Sequence, residues 1–530
     1  EEIVQEVNKL SIEEQTGILR EKWPGEILPK APTRKIEEKA LPPLPNVEKY
    51  NLVVTRFAPN PNAPLHIGQA RAIILSHEYA RLYKGKFILR LEDTDPRLKR
   101  SSLQFIDMIR KDLEWLGCIW DEEYIQSDRI PIYYEYAEKL LKEEKAYICT
   151  CKPQDFRERI LVRRACPCRN LSSEENLKRW DMMLDGTYGE GEAVLRIKTE
   201  LSHPNPAVRD WPALRIIDTK KYPHPRVGSK YRVWPLYNFA CGIDDHLMGV
   251  THIIRGKEHL TNQVRQMYLY HHLGWQYPEA VHYGRLKIVG APLSKSKIVQ
   301  DVKKGIYNGW DDPRLATFAA LRKRGITPEA IRLLMLEVGL RASDITLSWE
   351  NLYAHNRKII DPIAKRYFFV SEPVHFVIYN LKEDVSANLP YHPDRPELGF
   401  RKLHIKVIDG KAELYISKSD MEILREGKVV RLIGLLNVTI KSVKDGEIEA
   451  VFHSRGHQEA KRLKAPLIHW VPKAECYPCN VVMPDNTRIS GIVEKNFIKV
   501  TEGEIVQLER FGFGRVERNE PPFTVYYAHR

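Results

Sequence analysis

The sequence VTRFAPNP at residues 54–61 decides the fold, together with PLHIGQ at residues 64–69. The apolar run over 51–57 predicts a strand, and the three prolines over 58–64 predict a turn. Apolar residues at near-helical spacing over 65–83 then predict a helix. A strand that leads through a turn into a helix indicates the start of an α/β domain.

The alternation of strands and helices continues along the chain. A second strand is predicted over 87–91 and further helices over 102–116 and 132–144, an order typical of a parallel sheet. Residues 146–235 interrupt this rhythm with cysteines and many prolines, which indicates an insertion. Residues 303–365 are predicted to be helical.

The last third of the chain has a different pattern. From about residue 366, short alternating strands are predicted, among them one over 429–436. Turns such as Asp409-Gly410 and Asp445-Gly446 separate these strands. The pattern indicates a β-barrel or sandwich region.

Length and charge set broad limits on the function. The chain has 530 residues, enough for several domains. No stretch approaches the roughly 18 consecutive apolar residues of a membrane span. Lys and Arg number 83 against 70 Asp and Glu, a net charge of +13. This surplus is compatible with nucleic-acid binding but does not establish it.

Two short motifs carry the chemistry. The turn before the predicted helix holds His66 and Gly68, at a helix N-terminus suited to a phosphate group. Gly68 lets a nucleotide approach closely, and His66 can donate to a phosphate. Much later, LSKS at residues 293–296 supplies Lys295, which can follow the charge that builds on departing pyrophosphate. Each motif alone is weak, since structural histidines and solvated Ser-Lys-Ser loops are common.

The eight cysteines are too few for a disulfide scaffold, and four of them form two close pairs. The pairs Cys149/Cys151 and Cys166/Cys168 predict a closed, structural Zn²⁺ site in a reducing compartment. Four reduced thiols without a metal are the alternative. For Cys476 and Cys479 we expect a local structural role, with a disulfide as one form of it, rather than redox catalysis.

Together, the His66 turn and the Lys295 motif resemble the HIGH and KMSKS signatures of class I aminoacyl-tRNA synthetases. VTRFAPNP, RLEDTD at 90–95 and DDHLMGVTH at 244–252 are similar to the glutamyl/glutaminyl subclass. The resemblance covers residues 50–525. Ala63, Gln69, Pro292 and Leu293 depart from the signatures at places where glutamyl members vary. Gln69 is a neutral amide and cannot supply the charge of an imidazolium.

The resemblance implies a Rossmann-like class I catalytic domain with an inserted acceptor-stem domain, a helical connecting domain and two C-terminal β-barrels. Barrels are used by glutaminyl enzymes and by archaeal and eukaryotic glutamyl enzymes, so we expect the archaeal type. The expected parts are an N-terminal helical extension and linker (1–50), the first catalytic half (51–145), the acceptor-binding insertion (146–235), the second catalytic half (236–302), the connecting domain (303–365) and the barrels (366–530).

The same resemblance implies a reaction and its residues. ATP, accompanied by Mg²⁺, would activate L-glutamate, which is then transferred to the 3′ adenosine of tRNA(Glu). The expected catalytic residues are His66 and Lys295. The expected ATP-binding residues are His66, Gly68, Gln69, Ser294, Lys295 and Ser296. The expected glutamate-binding residues are Arg56, Asn60, Glu92, Tyr237, Cys241 and Arg255.

The choice of amino acid depends on Arg255. Glutamyl enzymes carry an arginine at this position, whereas glutaminyl enzymes have a small uncharged residue there. Glutamine opposite Arg255 would leave a poorly compensated cation, which costs a few kcal/mol and gives on the order of 100-fold discrimination. A glutaminyl-tRNA synthetase is therefore the nearest alternative. The sequence leaves open whether tRNA(Gln) is also glutamylated.

Two more distant alternatives are disfavoured. A small nucleotidyltransferase would share the nucleotide site, but such enzymes lack the long insertion and the β-rich tail. An RNA-binding module without catalysis would not need His66, Gly68 and Lys295. We expect a monomeric cytoplasmic enzyme with no membrane contact.

Overall fold

The computed structural model describes residues 41–98, 100–290, 295–444 and 446–530, and only the backbone of residues 295 and 296. Most of the expected N-terminal extension and residues 291–294 lie outside the described residues. From Pro42 onward the chain forms one unit. None of its described helices is long and apolar enough to cross a membrane.

Residues 51–145 have the predicted alternation. Their strands β1 (Val54–Phe57), β2 (Lys86–Leu91) and β3 (Glu122–Ile125) form a parallel sheet in that order. Nearly all residues of β1 and β2 are buried, as expected for a sheet covered on both faces. The helices in this range are α1 (Ile67–Leu82), α2 (Leu103–Trp115) and α3 (Ile130–Lys142).

The insertion has its own antiparallel sheet, which explains the interrupted rhythm of the sequence. The sheet order is β4 (Ala146–Cys149), β5 (Val194–Ile197), β6 (Pro212–Ile216) and β7 (Val233–Pro235). Helices α4 (Pro153–Leu161) and α5 (Ser173–Asp185) lie between β4 and β5 in the chain. Trp180, Trp211 and Trp234 are fully buried in the core that this sheet shares with the flanking helices.

Residues 236–302 extend the parallel sheet. They contain α6 (Tyr237–Leu247), β8 (His252–Gly256), α7 (Leu260–Leu273) and β9 (Glu279–Tyr283). Strands β8 and β9 are parallel, and Thr251 joins them to β1: its N–H donates to the Val54 oxygen at 3.0 Å. The order β9-β8-β1-β2-β3 changes direction between β8 and β1. Ligands of such sheets bind outside the carboxyl ends of the strands at this point.

The predicted helical segment over 303–365 is only partly confirmed, because residues 304–317 contain no helix and Ile345–Leu347 forms a strand. Strand β10 (Leu286–Ile288) pairs in parallel with β11 (Ile345–Leu347), and the helices are α8 (Lys295–Lys303), α9 (Phe318–Arg324), α10 (Pro328–Val338) and α11 (Trp349–Ile360). Thr317 and Thr327 begin α9 and α10 because each hydroxyl accepts from a backbone N–H of the first turn.

Two seven-stranded sheets form the C-terminal region. The proximal sheet contains β14 (Pro373–Tyr379), β17 (Ala412–Ser417), β18 (Val429–Leu432), β19 (Asn437–Lys444), β20 (Glu447–Ser454), β21 (Leu467–Ile468) and β22 (Val471–Pro472). Between these strands lie the hairpin β15 (Val385–Pro390) and β16 (Phe400–Ile405) and the helix α12 (His457–Arg462). The distal sheet contains β12 (Lys365–Tyr367), β13 (Phe369–Ser371), β23 (Cys476–Val482), β24 (Arg488–Glu494), β25 (Ile505–Leu508), β26 (Gly512–Arg518) and β27 (Phe523–His529).

Each sheet curls back on itself. The edge strands of the proximal sheet, β21 and β22, follow each other along the chain, and so do the edge strands of the distal sheet, β12 and β13. The predicted strand over 429–436 is wrong in extent. It ends at Leu432, since the chain turns at Gly434 with a φ of +70°.

Candidate active site

The signature turn is built by a reciprocal cap at the start of α1. The Nδ1 of His66 accepts from the Gly68 N–H at 3.1 Å, and the Gln69 side-chain oxygen accepts from the His66 N–H at 3.3 Å. The amide of Gln69 thus completes a capping box, a role that requires no positive charge at position 69. The first turn of α1 contains no acidic residue, so the positive end of its dipole remains available to an anion.

The structure describes only part of the LSKS motif at residues 293–296. Ser294 lies outside the described residues. Lys295 is the first residue of α8, but its side chain and that of Ser296 are not described. Their contacts with ATP remain predictions from the sequence.

Two buried arginines share one carboxylate at the carboxyl ends of β1 and β2. Asp245 accepts from the Arg56 Nε at 3.1 Å and from an Arg90 Nη at 2.7 Å. The other Arg90 Nη donates to Glu92 at 3.1 Å and lies 3.2 Å from the Cys241 sulfur. Burial alone would raise the pKa of Asp245, but Arg56 and Arg90 hold it below its usual range.

Arg255, at the end of β8, has a different environment. It is 5% exposed. Its three nitrogens donate to His282 (3.3 Å), Gln266 (3.2 Å) and the Tyr277 hydroxyl (2.8 Å). No carboxylate in the described part of the chain forms an ion pair with it. The guanidinium is therefore a buried cation with neutral partners only.

Two further expected residues line the same region. Burial raises the pKa of Tyr237, and the charges of Arg255 and Arg56 oppose that rise, which places the phenol near both. The side-chain oxygen of Asn60 is buried and has no hydrogen-bond partner among the described residues. A buried polar atom of this kind calls for a partner, and a bound substrate can supply one.

The structure thus brings Arg56, Glu92 and Cys241 together through hydrogen bonds, with Tyr237 and Arg255 close by. Arg90 and Asp245 were given no role by the sequence, although both lie in motifs that carried the resemblance. Gln266, Tyr277 and His282 lie in no motif. Their part becomes visible only when α7 and β9 pack beside β8.

The four predicted cysteines form one cluster in the insertion. Their sulfur atoms lie within 4.8 Å of one another, with 3.9 Å separating Cys149 from Cys166 and Cys151 from Cys168. Four thiolates on a tetrahedral Zn²⁺ with Zn–S bonds of about 2.3 Å would lie about 3.8 Å apart. The cluster therefore fits a metal ion of this type.

The prediction that Cys476 and Cys479 could form a disulfide is wrong. Both cysteines are free and both lie on β23. Residues three positions apart on a strand point to opposite faces. Accordingly, Cys479 is buried in the distal core while Cys476 is partly exposed.

A cleft of about 970 Å³ lies in the insertion, next to the cysteine cluster. Arg215 in its wall forms an ion pair with Asp95 at 3.0 Å. Asp95 follows the end of β2, the strand that carries Arg90. Acidic residues in the wall are Glu190 and Asp218. The basic residues are more numerous: Arg97, Arg196, Arg215, Lys220, Lys221, Lys230 and Arg232.

Known proteins match this chain along its length. The family model for tRNA synthetases class I (E and Q), catalytic domain, matches residues 52–362, and two models for the anticodon-binding domain of that family match residues 364–455 and 467–517. A crystal structure of a glutamate tRNA ligase from Elizabethkingia meningosepticum in complex with its amino acid aligns over 59% of this chain and 70% of that chain, with a TM-score of 0.44 and 25% identity.

Two relatives match the whole chain. The glutamate–tRNA ligase of Pyrococcus furiosus is 54% identical, and that of Thermococcus kodakarensis is 53% identical. In both cases the alignment covers 100% of this chain and 91% of the relative. From the family models and these identities, the chain belongs to the glutamate and glutamine (E and Q) family of class I aminoacyl-tRNA synthetases.

Proposed function

We propose that this synthetase is a glutamate–tRNA ligase, which activates L-glutamate with ATP and transfers it to the 3′ adenosine of tRNA(Glu). The observation that carries the proposal is the buried Arg255 with only neutral partners. A buried cation without a counter-ion is costly, and an anionic substrate side chain removes that cost. The full-length relatives named glutamate–tRNA ligase support the same choice.

The charge balance of the pocket favours glutamate over glutamine. Five charged groups meet there: Arg56, Arg90, Arg255, Asp245 and Glu92. Three cations and two anions leave one positive charge. Nearby Asp244 is paired with Arg129 at 2.8 Å and adds none. Bound glutamate carries one net negative charge and balances the pocket, whereas glutamine is neutral overall and does not.

The residues around Arg255 would divide the substrate between them. Arg56 and Asn60 would hold the substrate carboxylates, and Glu92 would accept from the α-ammonium group. Tyr237 would line the side-chain pocket, with Cys241 beneath it. The unpartnered oxygen of Asn60 supports its contact with a ligand.

The reaction then needs positioning and charge stabilisation rather than a protein nucleophile. The α-carboxylate of glutamate attacks the α-phosphorus of ATP, and pyrophosphate leaves with Mg²⁺. The start of α1, with His66, Gly68 and Gln69, would face the phosphates, and Ser294, Lys295 and Ser296 would also bind ATP. The 2′-hydroxyl of the terminal adenosine then attacks the glutamyl-adenylate.

The remaining parts would handle the tRNA. The insertion (146–235), with its basic cleft, would receive the acceptor end, because clustered Arg and Lys side chains attract phosphates. The barrels (366–530) would bind the anticodon loop. Cys149, Cys151, Cys166 and Cys168 would hold a structural Zn²⁺, since four protein ligands leave no position open for catalysis.

ATP–pyrophosphate exchange in the presence of tRNA tests the function. We expect exchange with glutamate and not with glutamine, and we expect Arg255→Ala to abolish that preference. Exchange with glutamine alone would overturn the proposal. Charging of separated tRNA(Glu) and tRNA(Gln) would then define the tRNA range.

A further inference from the structure

The contacts of Arg255 form a closed arrangement. One Nη donates to the Gln266 oxygen, the other Nη donates to the Tyr277 hydroxyl, and that hydroxyl donates in turn to the same Gln266 oxygen at 2.8 Å. The Nε donates to the Nε2 of His282. Gln266 is fully buried. Each nitrogen of the guanidinium is thus fixed by a different side chain.

We propose that Gln266, Tyr277 and His282 determine amino-acid specificity by positioning Arg255 without neutralising it. This inference rests on the proposed function. A guanidinium has five N–H groups, of which three are used here. The Gln266 oxygen and the Tyr277 hydroxyl, 2.8 Å apart, occupy the fork between the two Nη atoms. The two N–H groups that remain, one on each Nη, lie on opposite edges of the guanidinium, and either can donate to a carboxylate oxygen of a bound substrate.

The orientation of the Gln266 amide supports this role. Its oxygen accepts from both Arg255 and Tyr277, while its Nε2 has no hydrogen-bond partner among the residues described. A buried N–H without a partner is unfavourable. Rotating the amide would point its N–H groups at the guanidinium, and two donors would then face each other. The cation therefore fixes the amide in this orientation.

All three partners stay uncharged near neutral pH. Burial, followed by the charge of Arg255, lowers the pKa of His282 to about 4. Burial raises the pKa of the Tyr277 hydroxyl, and Gln266 does not titrate. Arg56 and Arg90 differ from Arg255 in this respect, because both are already paired with Asp245. Of these three arginines, Arg255 is the one without a carboxylate partner among the described residues.

The decisive variant is Gln266→Glu, which keeps the shape of the side chain and places a carboxylate against Arg255. We expect the KM for glutamate to rise at least about tenfold while the KM for ATP changes less than about twofold. We also expect the ratio of glutamate to glutamine use to fall by at least about tenfold. Gln276→Glu is the matched control, because Gln276 lies beside Tyr277 but is exposed.

Tyr277→Phe provides a second measurement that adds no charge, and it decides the question if Gln266→Glu does not fold. It removes one acceptor from Arg255 and should raise the KM for glutamate more than the KM for ATP. A merely structural role would lower the unfolding temperature and affect both amino acids equally. If the unsubstituted protein activates glutamate but every folded variant keeps its glutamate-to-glutamine ratio, the inference is overturned alone. If the unsubstituted protein does not activate glutamate, the proposed function is overturned as well.

Discussion

Arg71 in α1 donates to the backbone oxygen of Gly284 at 2.7 Å, and this bond joins the helix that begins after His66 to the chain that leads to Lys295. The other nitrogens of Arg71 donate to the oxygens of Gly339 and Arg341 at 2.8 and 2.9 Å. Gly284 also allows a close approach: a Cβ there would lie 2.0 Å from the Ser343 oxygen. The chain that leads to the Lys295 motif is therefore fixed to α1, the helix that begins after His66.

Replacement of Arg71 by Met should slow adenylate formation. The variant keeps the bulk of the side chain but removes the three hydrogen bonds from α1 to the oxygens of Gly284, Gly339 and Arg341. The Arg341 oxygen still accepts from the Gly284 N–H, but the chain that leads into β10 loses its hydrogen bonds to α1. We expect kcat for exchange to fall about tenfold or more, with the KM for glutamate within about twofold of the original. Arg81→Met, an exposed position on the same helix, should leave kcat unchanged. A normal kcat in Arg71→Met would contradict the link.

Asp245 is expected to be essential for stability as well as for the pocket. Asp245→Asn leaves Arg56 and Arg90 without their shared anion, and breaking a buried pair in this way costs about 3–5 kcal/mol. The folded-state pKa of Asp245 lies below its unfolded value, so its stabilisation is present above the unfolded pKa and is lost as the pH falls through the folded one.

Denaturant unfolding at pH 7 measures the effect of Asp245→Asn. Asp128→Asn is the control, because Asp128 also pairs with an arginine but is 53% exposed. Surface pairs contribute about 0–1 kcal/mol. Equal losses of unfolding free energy in the two variants would argue against the role of Asp245.

Asp112 should make stability depend on pH in the opposite sense. Burial raises its pKa to about 7, although Arg322 and the Leu65 N–H oppose that rise. Between the unfolded pKa and about 7, the unfolded state ionises while the folded state does not, so stability falls as the pH rises through this window.

Asp112→Asn mimics the neutral carboxyl and removes this pH dependence. Relative to the original protein, the variant should gain up to about 4 kcal/mol of unfolding free energy between pH 4 and pH 8. Asp107→Asn on the same helix, with a side chain 66% exposed, should show no such gain. Parallel pH profiles for the original protein and Asp112→Asn would refute the expectation.

The elements near the signatures were predictable because their signals are local. The prolines before residue 65, the apolar spacing of α1 and the two cysteine pairs each act over a few residues. The pocket depends instead on pairs far apart in sequence. Arg56 meets Asp245, and Arg255 meets Tyr277, only after the parallel sheet has formed around β1 and β8. No local pattern distinguishes Gln266 from any other glutamine on an amphipathic helix.

Zinc binding in the insertion gives the last prediction. Freshly purified protein should contain about one zinc per chain, and Cys166→Ser should lose most of it, because three thiolates remain where a closed site needs four. Since metal binding adds to folding free energy, the loss should also lower the unfolding temperature. Cys476→Ser changes a free cysteine outside the cluster and should keep both the metal and the unfolding temperature. Elemental analysis that finds well under one metal per chain in the unsubstituted protein would contradict the four-thiolate site.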